Sequence, residues 1–257
     1  MSSAVLANLF SLKGKTSIVT GAEKGIGKAI ARGLAAAGSN VVVAHYPKSD
    51  PSSTLKIIES YGRNAYSLPI DLSLKHNVEK MLPRALKIVP SIEILVNNAG
   101  IATMAPAENQ SDDSWENVLA VDLLAPLLLS RDFGRYLIKA NSKGKIINVC
   151  SIHSFKNTPD AIPYFTAKGG LKNLTTVLAK EWRAKGINVN GIAPGFFTAD
   201  ILSNVPEEEL KSLHDKSSVE KFGQTNELIG VAVFLASDAS DYVTGTVIPV
   251  DSGWLTN

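Results

Sequence analysis

Tyr164 and Lys168 stand four residues apart in the stretch IPYFTAK. Residues at i and i+4 share a helix face, so the ammonium group can reach the region of the phenol. Tyrosine is a poor base at neutral pH, with a reference pKa of about 10. A neighbouring cation favours the phenolate and lowers that value. The pair therefore has the makings of a proton-transfer device, although the same spacing arises by chance on many solvated helix surfaces. A second chemical feature opens the chain: TGAEKGIGKAI, with Gly21, Gly25 and Gly27 following a β-branched run. A strand that passes through glycines into a helix lets backbone approach a pyrophosphate, which the helix N-terminus then stabilises. The spacing is GxxxGxG rather than GxGxxG. An isolated match of this kind can be a turn that binds nothing; as the first βα turn of an α/β chain it favours binding.

The elements that must position these residues are written in the alternation of the chain. Short apolar runs occur at 16–20, 40–44, 65–70, 92–97, 145–150, 187–192 and 246–250. Their apolar character is nearly continuous, as parallel strands buried on both faces require. Helix-like stretches such as GKAIARGLAAAG, SWENVLAVDLLAPLLLSRDFGRYLIKA and YFTAKGGLKNLTTVLAKEWRAKG lie between them, and Gly38 and Gly186 fall where helix C-termini need positive φ. Pro126 predicts a kink within the second of these helices. The pattern predicts a single-domain α/β protein, a Rossmann-like doubly wound parallel sheet of about seven strands. Residues 196–224 break the rhythm with a polar segment containing PEEEL, expected to form a substrate lid.

Composition narrows the function. The 257 residues are 45% hydrophobic and 19% charged, with a net charge of +2 spread along the chain, so there is no basic footprint for nucleic acid. Cys150 is the only cysteine, which suits a reducing compartment. No secretory pattern and no run approaching a membrane span is present, so the cytoplasm is the default expectation.

TGAEKGIG resembles the TGxxxGIG cofactor motif of the short-chain dehydrogenase/reductase family. Further segments follow in that family's order: Asp71-Leu72 after the third strand, NNAG at 97–100, Ser151, Tyr164 with Lys168, Pro194-Gly195, and the closing VDSGW. The resemblance covers about residues 11 to 255, nearly the whole chain. It is nearest to the 2-deoxygluconate and gluconate dehydrogenases, with acyl-carrier-protein ketone reductases further away.

The resemblance implies oxidoreduction between a secondary alcohol and a ketone by hydride transfer to or from a nicotinamide cofactor. Tyr164 would be the general acid of reduction and the general base of oxidation. Lys168 would support it and hold the nicotinamide ribose. Ser151, thirteen residues before Tyr164, would hydrogen-bond the substrate oxygen. Asp122 stands where the family usually has an asparagine that helps hold a water chain to the lysine. Gly21, Lys24, Gly25, Ile26 and Gly27 would cradle the cofactor phosphates. Asp71 with Leu72 would meet the adenine, and Asn98, Ala99 and Gly100 the adenosine-ribose side. Pro194, Gly195, Phe197 and Thr198 would meet the nicotinamide, although Thr198 falls three residues after the glycine rather than four.

His45 stands at the end of the second strand, where NAD-users of the family carry an acid, and Lys24 and Lys48 add positive charge nearby. NADP is therefore expected over NAD, with solvated surface lysines as the bland alternative. His153, Phe155 and Phe196 would border a small-molecule carbonyl or alcohol substrate. Family members are commonly homotetramers, which makes an oligomer the expectation. The competing class is a scaffold that keeps the dinucleotide site without redox chemistry.

Overall fold

The computed structural model describes residues 2–198 and 222–256. A short helix, α1 (Ser2–Leu9), precedes the expected alternation. Then come β1 (Thr16–Thr20), α2 (Gly25–Ala36), β2 (Asn40–His45), α3 (Ser52–Ser60), β3 (Ala65–Pro69), α4 (Lys75–Ala85) and β4 (Ile94–Asn97). The second half runs through α5 (Asp112–Leu119), α6 (Ala125–Lys139), β5 (Gly144–Val149), α7 (Ile162–Trp182), β6 (Ile187–Pro194), α8 (Ile229–Ala236) and β7 (Val247–Val250). The seven strands form one parallel sheet in the order β3-β2-β1-β4-β5-β6-β7. Strand order reverses between β1 and β4, which opens a crevice beyond the carboxyl ends of the strands.

Alternate residues along each strand feed two different cores. Ile18, Val42, Leu95 and Ile146 pack with Met81, Phe133, Leu137 and Trp182 from α4, α6 and α7. Their chain neighbours Val19, Val41, Val43, Ile94, Val96 and Ile147 pack with Ile30, Leu34 and Leu235 from α2 and α8. This is the double-sided burial that the unbroken apolar runs imply. Each such side chain contributes about 1.5–3 kcal/mol by leaving water.

Two local expectations resolve differently from their simplest form. Pro126 sits in the first turn of α6, and the adjustment occurs upstream of it. Residues Ala120–Leu124 form a π turn, in which the Ala125 amide donates to the Ala120 carbonyl. The helix runs through this turn with right-handed helical backbone at both junctions, so Pro126, which has no N–H to give, sits just past the point where the bonding shifts to i→i−5. The wider turn carries Asp122. The expected lid at 196–224 lies mostly at 199–221, outside the described residues. Its flanks are pinned together: the Gly223 amide donates to the Phe196 carbonyl, and the Thr198 amide to the Gly223 carbonyl, both at 2.9 Å.

Candidate active site

The glycine turn is shaped by contact. β1 ends at Thr20, and Gly21 takes φ 63° so that its amide can donate to the Ala44 carbonyl of β2 at 2.8 Å. A Cβ on Gly27 would collide with the Gly21 carbonyl and the Asn98 amide, and one on Gly21 would come within 3.0 Å of Ala99 Cα. Lys24, extended at the helix boundary, makes no side-chain cap among the described residues. The first amides of α2, from Gly25 through Gly27, are among those that a helix start leaves without intrahelical partners. Ile26 is half-buried against the α2 core.

Asn98 has a structural duty. Its side-chain amide donates to the carbonyls of Thr20 and Gly21, at 2.8 and 3.2 Å. The backbone amides of Asn98 and Ala99 donate to Thr20 Oγ1, at 2.9 and 3.0 Å. Thr20 thus clamps the end of β4 to the glycine turn, a role no motif assigned to it.

On the adenosine side, His45 ends β2 as expected but is buried, and both ring nitrogens are engaged. Nε2 lies 2.9 Å from Ser67 Oγ, and Nδ1 lies 2.9 Å from the Tyr46 carbonyl and 3.3 Å from Ser49 Oγ. Its ring braces β2 against β3 and the following turn. Lys24 and Lys48 are exposed, and Lys28 Nζ donates to Ser53 Oγ at 3.0 Å. Glu23 lies beside them with Oε2 buried and without a hydrogen-bond partner among the described residues. Asp71 Oδ1 accepts from the Ser73 amide and hydroxyl at 3.0 and 2.7 Å, while Leu72 is buried behind it.

The Tyr164–Lys168 pair lies in the first two turns of α7. Lys168 is 3% exposed, and its ammonium donates to the Val149 carbonyl at 3.0 Å. The same group pairs with Asp122 Oδ2 at 3.1 Å and lies 5.4 Å from the centre of the Tyr164 ring. Asp122 is fully buried, and its Oδ1 accepts the Ile101 amide at 2.8 Å. Gly100 leaves room for this pair: a Cβ there would stand 2.6 Å from Asp122 Oδ2. Burial pushes the Asp122 carboxyl above its ordinary value, with Lys168 and the Ile101 amide pulling the other way. For Lys168, burial opposes the charge, but Asp122 and Tyr164 outweigh it, and the ammonium is held above the usual lysine value. Lys168 is therefore a cation throughout the neutral range.

Ser151 follows β5 and starts a 3-10 turn, Ile152–Ser154. Its hydroxyl accepts the His153 amide at 3.1 Å, and its own amide donates to Ser154 Oγ at 3.3 Å. Ser154 Oγ in turn donates to the Lys168 carbonyl at 2.8 Å. This serine locks the turn to α7, and only the S-x-x-S spacing hints at it. Burial pushes the neighbouring Cys150 thiol up to about 11, so it stays protonated and inert.

At the far end, Pro194 closes β6 and the Gly195 amide donates to the Val250 carbonyl at 2.9 Å. Phe197 is buried in the core, and Thr198 Oγ1 donates to the Gly223 carbonyl at 3.3 Å. Phe196 turns towards His153 and Trp254, while Phe155 stays largely exposed beneath Lys172, whose ammonium is 4.1 Å from the ring centre. Ser151, Asp122, Tyr164 and Lys168 thus come together on one continuous set of contacts. Phe155 and His45 stand apart, one on the surface and the other inside the fold.

A family model described as enoyl-(acyl carrier protein) reductase matches residues 21–255. A 2-dehydro-3-deoxy-D-gluconate 5-dehydrogenase of Pseudoalteromonas atlantica is 36% identical, over 96% of this chain and 98% of its own. Among solved structures, a gluconate 5-dehydrogenase from Burkholderia cenocepacia in complex with NADP and tartrate superposes with a TM-score of 0.91. It is 32% identical, over 98% of this chain and 99% of that one. A short-chain type dehydrogenase/reductase from Mycobacterium marinum gives a TM-score of 0.89 at 28% identity, over 97% of this chain and 99% of that one. With near-complete coverage on both sides, and the glycine turn, serine, tyrosine and lysine in their expected order, this chain belongs to the short-chain dehydrogenase/reductase family.

Proposed function

We propose that this protein is an NADP(H)-dependent oxidoreductase that interconverts a secondary alcohol and a ketone, with a hydroxylated sugar acid as the substrate class. The observation that carries the reading is Lys168, a buried cation fixed beside the Tyr164 ring by Asp122 and the Val149 carbonyl. A buried ion pair that only held the fold together would need no phenol beside it.

The residues present fit a dinucleotide. The tight turn that Gly21 and Gly27 permit against Asn98 and Ala99, with an α2 N-terminus that no side chain caps, suits a pyrophosphate. Asp71 keeps one carboxylate oxygen for an adenine amino group, and Lys24 and Lys48 stand at the side where a 2′-phosphate would lie. His45 supports that corner from inside the fold. Pro194, Gly195, Phe197 and Thr198 would border the nicotinamide end. The gluconate 5-dehydrogenase with NADP and tartrate, alike over nearly the whole chain, supports the same cofactor and substrate class.

When bound, the cofactor supplies the hydride. The chain's own residues handle the proton and the orientation. Ser151 donates a hydrogen bond to the substrate oxygen and steadies its developing negative charge. Tyr164 gives that oxygen a proton in reduction and removes it in oxidation. Lys168, cationic through its contacts, favours the phenolate that each cycle passes through. Asp122 is a positioning residue that keeps the ammonium in place.

The deciding experiment follows reduced nicotinamide absorbance with a panel of keto-gluconates and secondary alcohols. Tyr164→Phe is expected to lower turnover by at least about 10³-fold while NADP still binds in calorimetry. Wild-type protein that binds dinucleotide and turns over nothing on the panel would overturn the redox reading in favour of a cofactor-binding scaffold. Assembly into a homotetramer belongs to the same proposal. It is supported by an open apolar hollow of about 330 Å³ along the stripe that runs from α5 into α6, lined by Leu119, Leu123, Leu124 and Leu127 with Glu116 at one end.

A further inference from the structure

His153 stands where three strand ends meet. It lies in the turn directly after Ser151, at the carboxyl end of β5. Its ring centre is 4.4 Å from that of Phe165, which follows Tyr164 in α7. It is also 6.2 Å from Phe196, just past β6, and 5.8 Å from Trp254, just past β7. The Phe165 ring in turn touches the Tyr164 ring at 6.0 Å. This corner lies beyond the carboxyl ends of the strands, the side on which open α/β sheets take their ligands.

The imidazole is fixed in one chemical form. Nδ1 lies 3.1 Å from the Lys156 carbonyl. A carbonyl only accepts, so Nδ1 carries the proton and Nε2 presents a lone pair. Among the described residues nothing donates to Nε2. Burial holds the ring's pKa below the usual histidine value, with the Lys156 carbonyl pulling against it, so the ring is neutral at physiological pH. The rings around it, Phe165, Phe196 and Trp254, are hydrophobic surfaces. This wall therefore offers a hydrogen-bond acceptor framed by aromatic carbon, one residue past Ile152 from the serine proposed to hold the reacting oxygen.

We infer that His153 Nε2 accepts a hydrogen bond from a substrate hydroxyl next to the reacting carbon, so that the site selects hydroxyketones and polyols over unsubstituted ketones. The inference rests on the alcohol–ketone reading above and adds a residue that selects within it. A substrate with a neighbouring hydroxyl satisfies the lone pair and lays its C–H edge on the aromatic frame. A substrate without one buries the lone pair dry, and sites built to bond a hydroxyl discriminate strongly against analogues that lack it.

The test compares 2-hydroxycyclohexanone with cyclohexanone as substrates, each with NADPH. Wild type is expected to favour the hydroxyketone in kcat/KM by about 100-fold or more. In His153→Leu that ratio should collapse to within about fivefold, whatever the absolute rates, because the acceptor is gone. His153→Gln, which retains an acceptor oxygen, should recover part of the ratio. Equal ratios in wild type and His153→Leu, or no preference in wild type, would overturn the inference while leaving the redox reading intact. Should the leucine variant fail to fold, the wild-type ratio and the glutamine variant still decide. Failure of wild type to turn over any ketone or alcohol would instead remove the redox reading beneath it.

Discussion

Asparagine at position 122 would keep the acceptor that holds the Ile101 amide and remove the charge that faces Lys168. With its counter-charge gone, less opposes the burial of the ammonium, so the Lys168 pKa should fall and the loss of turnover at alkaline pH should move toward acid in Asp122→Asn. An unchanged pH–rate profile would show that Asp122 acts only through shape. Asp122→Leu removes both functions and strands a buried cation, which should cost about 3–5 kcal/mol in urea unfolding. Glu23 makes the opposite electrostatic case. Its buried carboxylate oxygen, without a hydrogen-bond partner among the described residues, lies in the turn whose backbone carbonyl holds Thr54 of α3, near the proposed 2′-phosphate corner. Glu23→Gln should therefore raise the affinity for NADP relative to NAD by about tenfold in calorimetry. An unmoved ratio would place that carboxylate out of reach of the ribose. Much at this scale was legible beforehand, because Tyr164, Lys168 and Ser151 depend on spacing along regular elements. The inward turn of His45 was not, since it depends on Ser67 of a neighbouring strand, twenty-two residues further on.

Elements set how closely those residues may approach one another, and the glycine turn shows the tolerance. Gly27→Ala would drive a methyl group into the Gly21 carbonyl and the Asn98 amide, both of which belong to the clamp on Thr20. Overpacking of this kind should cost about 1–3 kcal/mol. It should also abolish the NADP-induced rise in Tm, since the displaced backbone is the proposed phosphate cradle. A variant that keeps that rise would show that the pyrophosphate binds elsewhere. Strand positions were readable because each apolar run is buried on both faces. Differences are confined to ends: β4 begins at Ile94 rather than 92, and β6 runs on through Pro194. The π turn at Ala120–Leu124 was signalled only as a disturbance of the helix, by Pro126 just beyond it. It arises from a one-residue difference in hydrogen bonding, to which hydrophobic periodicity is blind over so short a span. Ser154 was equally hidden, because its two bonds join a turn to a helix fourteen residues away.

For the molecule as a whole, the sheet leaves one helical side with an apolar surface that its own core does not cover. Leu124 and Leu127 on the π turn and α6 are 42% and 39% exposed, and Val177 on α7 is 44% exposed. Gly169, on the same helix as Val177, has open space where a Cβ would project, which would let another helix come close. Singly exposed aliphatic residues are ordinary, but Leu124 and Leu127, which line the apolar hollow, make a surface suited to association. Packing of two such sides would also brace the π turn that carries Asp122, linking assembly to the position of Lys168. Native mass spectrometry of the wild type at micromolar concentration should show a tetramer. Leu127→Glu should shift it towards smaller species, because a carboxylate buried at the contact would lack a partner. The same variant should lose turnover in parallel with assembly if the helix contact steadies Asp122. A wild type that is monomeric, or a Leu127→Glu protein that remains tetrameric, would assign this surface no part in assembly.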